Sequence, residues 1–140
     1  MSGSEDGGAL HPHVEVRRFA GKGRGVVARH RLVAGSVIDR SPVVVLPASQ
    51  VPAVEQTLLD EYVFLWGEDR AQVAVVLGPI SLLSHDYRPN AVYERHPDAD
   101  EVWLRALRDI EAGEEVTINY GGDPASRAAV WFGVPPPEDG

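Results

Sequence analysis

Most of this chain consists of short segments rich in valine, isoleucine, threonine and aromatic residues, and in HVEVRRF (13–19) apolar and polar positions alternate. Both features are typical of β-strands. Turn residues separate these segments, and HPDAD (96–100) is predicted to be a hairpin turn. The predicted strands lie in HVEVRRF (13–19), RGVVARHRL (24–32), SVIDRSPVVVL (36–46), AVYERH (91–96), EVWLRALRDI (101–110) and EVTINY (115–120).

One segment, VPAVEQTLLDEYVFLW (51–66), has helical spacing instead. Its apolar residues recur at intervals of three and four, and Gly67 follows as a stop signal. The residues on the shared face are Leu58, Leu59, Tyr62, Val63 and Trp66. We expect one helix here, with this face packed in the core.

The fold class predicted from these patterns is mainly β with short helices. A chain of 140 residues is long enough for one domain. Residues 1–12 are rich in Gly and Ser, acidic and without periodicity, so we expect a disordered tail there. The domain should span residues 13–133, and the Pro-rich residues 134–140 should form a second tail.

Charge and composition narrow the classes of partner. The formal net charge of −8 disfavours direct binding to nucleic acid and favours a basic protein or peptide. The alternative is that the acidic surface serves solubility alone. The absence of cysteine excludes disulfides, thiolate zinc sites and a cysteine nucleophile. We find no membrane-spanning run or signal peptide and expect a cytoplasmic protein. The sequence leaves the oligomeric state open.

A short sequence echo is present within the chain. ARHRLVAGSVI (28–38) and ALRDIEAGEEV (106–116) align without gaps, and each has Ala-Gly before a renewed strand. Two copies are too few for a repeat protein. They predict the same strand–turn–strand unit used twice in one β fold.

The first candidate for chemistry is GKGRGVVA (21–28). Its three glycines allow backbone conformations that other residues rarely adopt and a close approach to a ligand, while Lys22 and Arg24 supply positive charge. The spacing is neither that of a phosphate-binding P-loop nor that of a dinucleotide fingerprint. From the residues alone, a binding loop and a plain hairpin turn are equally good interpretations.

The second candidate is SHDYRPN (84–90), which follows the apolar run AQVAVVLGPISLL (71–83). His85 could act as a general base, but a single histidine is more often structural. No two of the five histidines form an i, i+4 pair beside a carboxylate, so we expect no metal site. Pro89-Asn90 is a turn signal by itself.

The third candidate is ALRDIEAGEEVTINYGG (106–122). Its carboxylates, Glu111, Glu114 and Glu115, are expected to lie on a solvated turn. Tyr120 ends a predicted strand directly before two glycines, where a phenol can project into a pocket. A core tyrosine with a hydrogen-bond partner is the alternative.

Taken in order, these three segments resemble the SET domain of protein lysine methyltransferases. GKGRGVVA resembles the family's N-terminal signature, LGPISLL followed by SHDYRPN its Asn-His-Ser-x-x-Pro-Asn segment, and ALRDIEAGEEVTINYG its final motif. The resemblance covers residues 13–133. It implies a β-clip fold in which the central segment threads against the last strand in a knot-like crossing.

The resemblance also implies a protein-lysine N-methyltransferase that uses S-adenosylmethionine and acts on a lysine of a basic protein or peptide. By analogy, Tyr120 lines the channel in which the lysine meets the methyl group and is the expected catalytic residue. Trp131 is expected to close over the adenine or to pack in the core. The residues expected to bind the cofactor are Lys22, Gly23, Arg24, Gly25, Ser84, His85, Tyr120 and Trp131.

The sequence departs from the family pattern at two positions. Ser84 stands where the family has Asn, and Asp86 stands where it often has Ser. The first change removes an amide that could contact the cofactor, and the second adds an acid nearby. A SET domain without catalytic activity, and a cofactor-free binding module for basic peptides, are the alternative functions.

Overall fold

The computed structural model describes residues 11–126, and most of its regular structure is strand. The helices are short: α1 (Val51–Val54) and four single 3-10 turns at Ala48–Gln50, Leu58–Glu61, Pro79–Leu82 and Pro97–Ala99. The strands are β1 (Val14–Phe19), β2 (Gly23–Ala28), β3 (Val37–Leu46), β4 (Phe64–Trp66), β5 (Gln72–Val76), β6 (Ser84–His85), β7 (Ala91–His96), β8 (Glu101–Ala106) and β9 (Thr117–Ile118). The predicted fold class, mainly β with short helices, is confirmed.

Five strands form an antiparallel sheet in the order β4-β5-β3-β8-β7. Along β8, buried and partly exposed residues alternate, so Val102, Leu104 and Ala106 face the core. The sheet curls until its two edges meet. Arg95 Nε on β7 donates to the Leu65 carbonyl on β4 at 2.8 Å, and the rings of Phe64 and Tyr93 lie 4.8 Å apart.

The two copies of the sequence echo pair with each other. Leu32 and Ile110 exchange both backbone hydrogen bonds, each 2.8 Å long. Gly35 N donates to Ala106 O at 2.8 Å, and the equivalent bond runs from Gly113 N to Ala28 O at the same distance. Equivalent residues make equivalent bonds, so the echo corresponds to a local pseudo-two-fold unit.

β1 and β2 pair in antiparallel fashion and form a hairpin over residues 14–28, the glycine hairpin.

A third sheet joins two distant parts of the chain. β6 and β9 pair in parallel, with Ser84 opposite Thr117 and His85 opposite Ile118. Asn90, buried to 2% exposure, extends this pairing with its side chain: Thr117 N donates to Asn90 Oδ1, and Asn90 Nδ2 donates to Glu115 O, both at 2.8 Å. The amide thus replaces the backbone of a neighbouring strand. Threading of the chain into a knot-like crossing stays a prediction.

The predicted helix over residues 51–66 is wrong beyond its first turn. Thr57 directs both its hydroxyl and its amide to the carbonyl of Val54, at 2.7 and 2.9 Å, and this ends α1. Residues 64–66 then pair with β5, because the sheet offers Trp66 a buried position at 5% exposure. Leu58 is 70% exposed, so the apolar face of the expected helix is not assembled.

The predicted strands are confirmed in position, but three of them are shorter than expected. β2 ends at Ala28, whereas the predicted strand ran to residue 32. β8 stops at Ala106, before the turn that carries Arg108, and β9 holds only Thr117 and Ile118. None of the helices in residues 11–126 has the length and apolarity needed to cross a membrane. The expected boundaries at residues 12 and 133 stay predictions.

Replacing Asn90 by Ala should destabilise the fold by about 2–4 kcal/mol, because the Thr117 amide and the Glu115 carbonyl lose their buried partner. Urea unfolding measures the change. Val44→Ala, at an exposed position on β3, is the control and should cost well under about 1 kcal/mol. Equal losses for the two variants would show that the Asn90 side chain is not a structural link.

Candidate active site

Tyr120 lies two residues after the end of β9 and is held by two hydrogen bonds to the β6 segment. Its amide donates to His85 Nδ1 at 3.0 Å, and its hydroxyl donates to the Leu83 carbonyl at 2.5 Å. These bonds fix both the backbone and the ring, so the phenol has a defined position between β6 and β9.

This arrangement fixes the tautomer of the neutral His85 ring. Because Nδ1 accepts a hydrogen bond, the neutral ring carries its proton on Nε2. Burial lowers the pKa of His85 below its ordinary value of 6.5, and Asp86 only partly opposes this shift. Nε2 is buried and has no hydrogen-bond partner among residues 11–126, so it is an unsatisfied donor.

Two cavities meet at Tyr120. The smaller has a volume of about 370 Å³ and the larger about 780 Å³. The wall between them is shared, and it consists of Glu61, Tyr62, Ser81, Leu83 and Tyr120. A molecule in either cavity would therefore reach the same phenol from a different side.

The smaller cavity collects nearly all of the sequence-predicted site residues that the structure describes. Those that line it are Lys22, Gly23, Arg24, Ser84, His85 and Tyr120. Gly25 is not among the lining residues, and an added Cβ there would come within 2.5 Å of Glu115 Oε2 and 2.7 Å of the Phe19 ring. Its missing side chain thus lets Glu115 pack against the hairpin. Trp131 lies outside the described residues.

The expectation that Glu115 lies on a solvated turn is wrong. Its side chain is only 21% exposed, and Oε1 accepts from Lys22 Nζ at 2.7 Å. Glu114 is also engaged, because the Arg108 guanidinium at 2.7 Å lowers the pKa of its carboxyl. Glu111 is largely exposed, as expected. The missed signal was that Glu115 precedes the last strand and so can face the glycine hairpin.

The two departures from the family pattern differ in position. Ser84 lines the smaller cavity, whereas Asp86 is exposed and its carboxylate accepts from the Arg88 amide at 2.8 Å. This local turn directs the Asp86 carboxylate to the backbone of its own loop. Asp86 therefore does not occupy the space that the shorter Ser84 side chain leaves.

The larger cavity combines aromatic walls with charged residues. Its aromatic residues include Tyr62, which the sequence placed in a helix core, together with Phe64, Tyr93 and Tyr120. Its charged residues are Glu55, Asp60, Glu61, Arg70, Arg95 and Asp123. An extended peptide segment with a long aliphatic side chain is a chemical match for such a cavity.

Tyr120 remains neutral under all ordinary conditions. Burial raises its pKa to about 12, and the nearby Tyr62 and Glu115 add to the effect. The phenol is therefore a hydrogen-bonding group and not a base at neutral pH. Residues 11–126 contain no group of three His, Cys, Asp or Glu side chains placed to hold a metal ion.

Comparison with known proteins assigns this architecture. The family model described as SET domain matches residues 23–121. A histone-lysine N-methyltransferase of Schizosaccharomyces pombe, described as specific for lysine 37 of H3, is 33% identical over 109 residues, which are 77% of this chain and 73% of that protein. Histone-lysine N-methyltransferase Suv4-20 of Caenorhabditis briggsae is 30% identical over 107 residues, 73% of this chain and 31% of that protein.

Solved structures show the same fold at low sequence identity. CpSET8 from Cryptosporidium aligns with a TM-score of 0.64 at 18% identity, covering 77% of this chain and 57% of that one. The Neurospora SET domain protein DIM-5, a histone lysine methyltransferase, aligns with a TM-score of 0.61 at 21% identity, covering 76% and 51%. The architecture is thus retained where most of the sequence differs.

His85 should show the Nε2-protonated neutral tautomer at pH 7 and a pKa below 6.5, both measurable by ¹⁵N NMR. In the unfolded chain His85 has its ordinary, higher pKa, so the unfolded state takes up a proton before the folded state as the pH falls. The free energy of unfolding should therefore fall as the pH drops below 6.5. His85→Gln should remove this part of the pH dependence. Titration at or above 6.5 would contradict the effect of burial on the ring, and an Nδ1-protonated neutral ring would contradict the assigned hydrogen bond.

Proposed function

Because this chain belongs to the SET-domain family, we propose that it transfers a methyl group from S-adenosylmethionine to a lysine ε-amino group of a basic protein. The family and the relative's name support lysine methylation of a protein. The identity of the donor, the basic character of the substrate, the site residues and a cytoplasmic location are further parts of the proposal.

The observation that carries the proposal is the pair of cavities that share Tyr120. Methyl transfer from a sulfonium is an in-line displacement, in which the amine must approach carbon from the side opposite the leaving sulfur. Two cavities with a common wall meet this requirement, because donor and acceptor can enter from different sides. We assign the smaller cavity to the donor and the larger one to the peptide.

The residues of the smaller cavity fit the proposed donor. When bound, S-adenosylmethionine supplies an electrophilic methyl group on a positively charged sulfur. The unsatisfied Nε2–H of His85 offers a hydrogen bond to an acceptor on such a ligand, and the cation Arg24 on the same cavity suits a carboxylate. We propose that the donor is held by Lys22, Gly23, Arg24, Ser84, His85 and Tyr120, with Gly25 supporting the hairpin; Trp131 stays a prediction.

Tyr120 is the proposed catalytic residue. Its hydroxyl proton is directed to the Leu83 carbonyl, so its oxygen can accept a hydrogen bond from the substrate amine and orient the nitrogen lone pair. Half-buried aromatic walls exclude water, and desolvation lowers the pKa of a lysine towards its neutral, nucleophilic form. Tyr62 shares both cavities with Tyr120 and is the second phenol at this junction.

The substrate that we propose is a basic protein segment, such as a histone-like tail. Three carboxylates of the larger cavity, Glu55, Asp60 and Glu61, form no ion pair within residues 11–126 and can receive basic side chains flanking the lysine. The net charge of −8 favours the encounter.

A SET domain without catalytic activity is the second candidate, and Ser84 is the observation that favours it. An Asn side chain offers one acceptor and two donors, whereas Ser84 offers a single shorter hydroxyl at the wall of the donor cavity. Lost contacts with the donor would lower affinity without preventing peptide binding. Direct measurement of transfer separates the two candidates.

Wild-type protein should transfer a tritiated methyl group from S-adenosylmethionine to lysines in a mixture of basic proteins, whereas acidic proteins should be poor acceptors. Tyr120→Phe should lower kcat about ten- to a thousandfold, because one oriented hydrogen bond is lost in the transition state. Its affinity for S-adenosylhomocysteine, measured by titration calorimetry, should change little.

Three results would contradict this proposal. Folded wild type that binds neither S-adenosylmethionine nor its demethylated product would exclude the donor. Binding without transfer to any protein would favour the inactive SET domain. Undiminished turnover by Tyr120→Phe would show that the phenol only packs.

A further inference from the structure

The glycine hairpin is anchored unevenly. At its base, backbone hydrogen bonds join β2 to residues 114–116: Ala28 N donates to Glu114 O at 2.9 Å, and Val116 N donates to Val26 O at 2.8 Å. At its tip, residues 20–22, the turn is closed by a longer bond of 3.3 Å from Lys22 N to Phe19 O. The tip borders the smaller cavity through Lys22 and Gly23.

A side-chain bond fixes this tip to the rest of the domain. Lys22 Nζ donates to Glu115 Oε1 at 2.7 Å, across 93 positions of sequence, and lies 5.1 Å from the centre of the Phe19 ring. Lys22 is the single lysine of the chain. Glu115 itself is held in place by its bridge to Val27 and by the Asn90 amide on its carbonyl.

Glu115 is built into the underside of the hairpin. Its Oε2 is buried, has no partner among the described residues, and occupies the space that a Cβ on Gly25 would need. A carboxylate with one unsatisfied oxygen depends on the partner of its other oxygen. The ion pair with Lys22 therefore offsets part of the cost of burying the Glu115 carboxylate.

We propose that Glu115 is a positioning residue for the methyl donor, acting through Lys22 to hold the tip of the glycine hairpin over the smaller cavity. This inference rests on the proposed function. The proposal gives a role to Glu115, whose carboxylate was expected from the sequence to lie in solvent. The alternative is that Lys22 leaves Glu115 and binds the donor carboxylate directly.

The two accounts predict opposite effects of Glu115→Gln. If the pair positions the tip, loss of either charge lets the tip move, and both Lys22→Met and Glu115→Gln weaken the donor site. If Lys22 binds the donor directly, Glu115→Gln releases a competitor and leaves affinity unchanged or tighter. A double variant, Lys22→Met/Glu115→Gln, completes the cycle.

The experiment measures affinity for two ligands by titration calorimetry. S-adenosylhomocysteine carries the amino-acid end, and methylthioadenosine lacks it. We expect both single variants and the double variant to bind S-adenosylhomocysteine about three- to tenfold more weakly than wild type, with strong coupling in the cycle. Methylthioadenosine should change less than about twofold, a selectivity that a general loss of stability would not produce. Glu15→Gln, which breaks an exposed ion pair with Arg17 on the same hairpin, is the control.

A second readout needs no ligand. Lys22→Met leaves the Glu115 carboxylate without a partner, whereas the double variant replaces that carboxylate by an amide. The melting temperature should therefore be lowest for Lys22→Met and partly restored in the double variant. Hydrogen exchange in Glu115→Gln should speed up at residues 20–24 and stay slow at residues 26–28.

Each outcome decides between the accounts. Weaker S-adenosylhomocysteine binding by Glu115→Gln, with methylthioadenosine and Glu15→Gln unaffected, supports the positioning role. Unchanged or tighter binding by Glu115→Gln, or a double variant less stable than Lys22→Met, overturns it. Failure of wild type to bind either ligand would instead count against the proposed function, while the melting and exchange results would still test the ion pair.

Discussion

The structure depends on a very short piece of parallel sheet. β6 and β9 contribute two residues each, too few to be stable from ladder hydrogen bonds alone. Side chains supply the rest: Asn90 bonds to the backbone on either side of Val116, His85 accepts from the Tyr120 amide, and the Tyr120 hydroxyl reaches Leu83. Polar residues interrupt the apolar sequence here because they replace backbone partners.

This construction fixes the position on which the proposed catalytic role of Tyr120 depends. A phenol fixed at its amide and at its hydroxyl cannot turn away from the wall between the two cavities. Burial raises the pKa of Tyr120 to about 12 and keeps it a neutral hydrogen-bonding group, and burial also lowers the pKa of His85. The buried Nε2 of His85 has no hydrogen-bond partner among residues 11–126. The hydrogen bonds that join the β6 and β9 segments therefore also hold the residues of the proposed site in position. A substitution that breaks them should affect both the stability of the fold and the site.

Much of this could be predicted from the sequence, for physical reasons. Segments rich in β-branched and aromatic residues located most of the strands, since such side chains pack well on a sheet. The glycine, SHDYRPN and TINYGG segments marked the residues that gather around the smaller cavity. The helical spacing of residues 51–66 gave a wrong prediction of one continuous helix. Thr57 ends the helix, and pairing with β5 buries Trp66 more fully than a helix face would. Glu115 and Tyr62 were missed because their roles depend on contacts with Lys22 and Tyr120, 93 and 58 positions away, that no local pattern records.

The central claim is that one phenol separates a donor cavity from a peptide cavity, and NMR mapping on ¹⁵N-labelled protein tests it most directly. S-adenosylhomocysteine should shift the amide signals of residues 22–25 and 84–85, and a lysine-containing basic peptide should shift those of residues 60–65 and 121–123. Each ligand added alone should shift Tyr120, and both should bind together. Competition for one set of residues, or a Tyr120 signal that responds to neither ligand, would contradict the account.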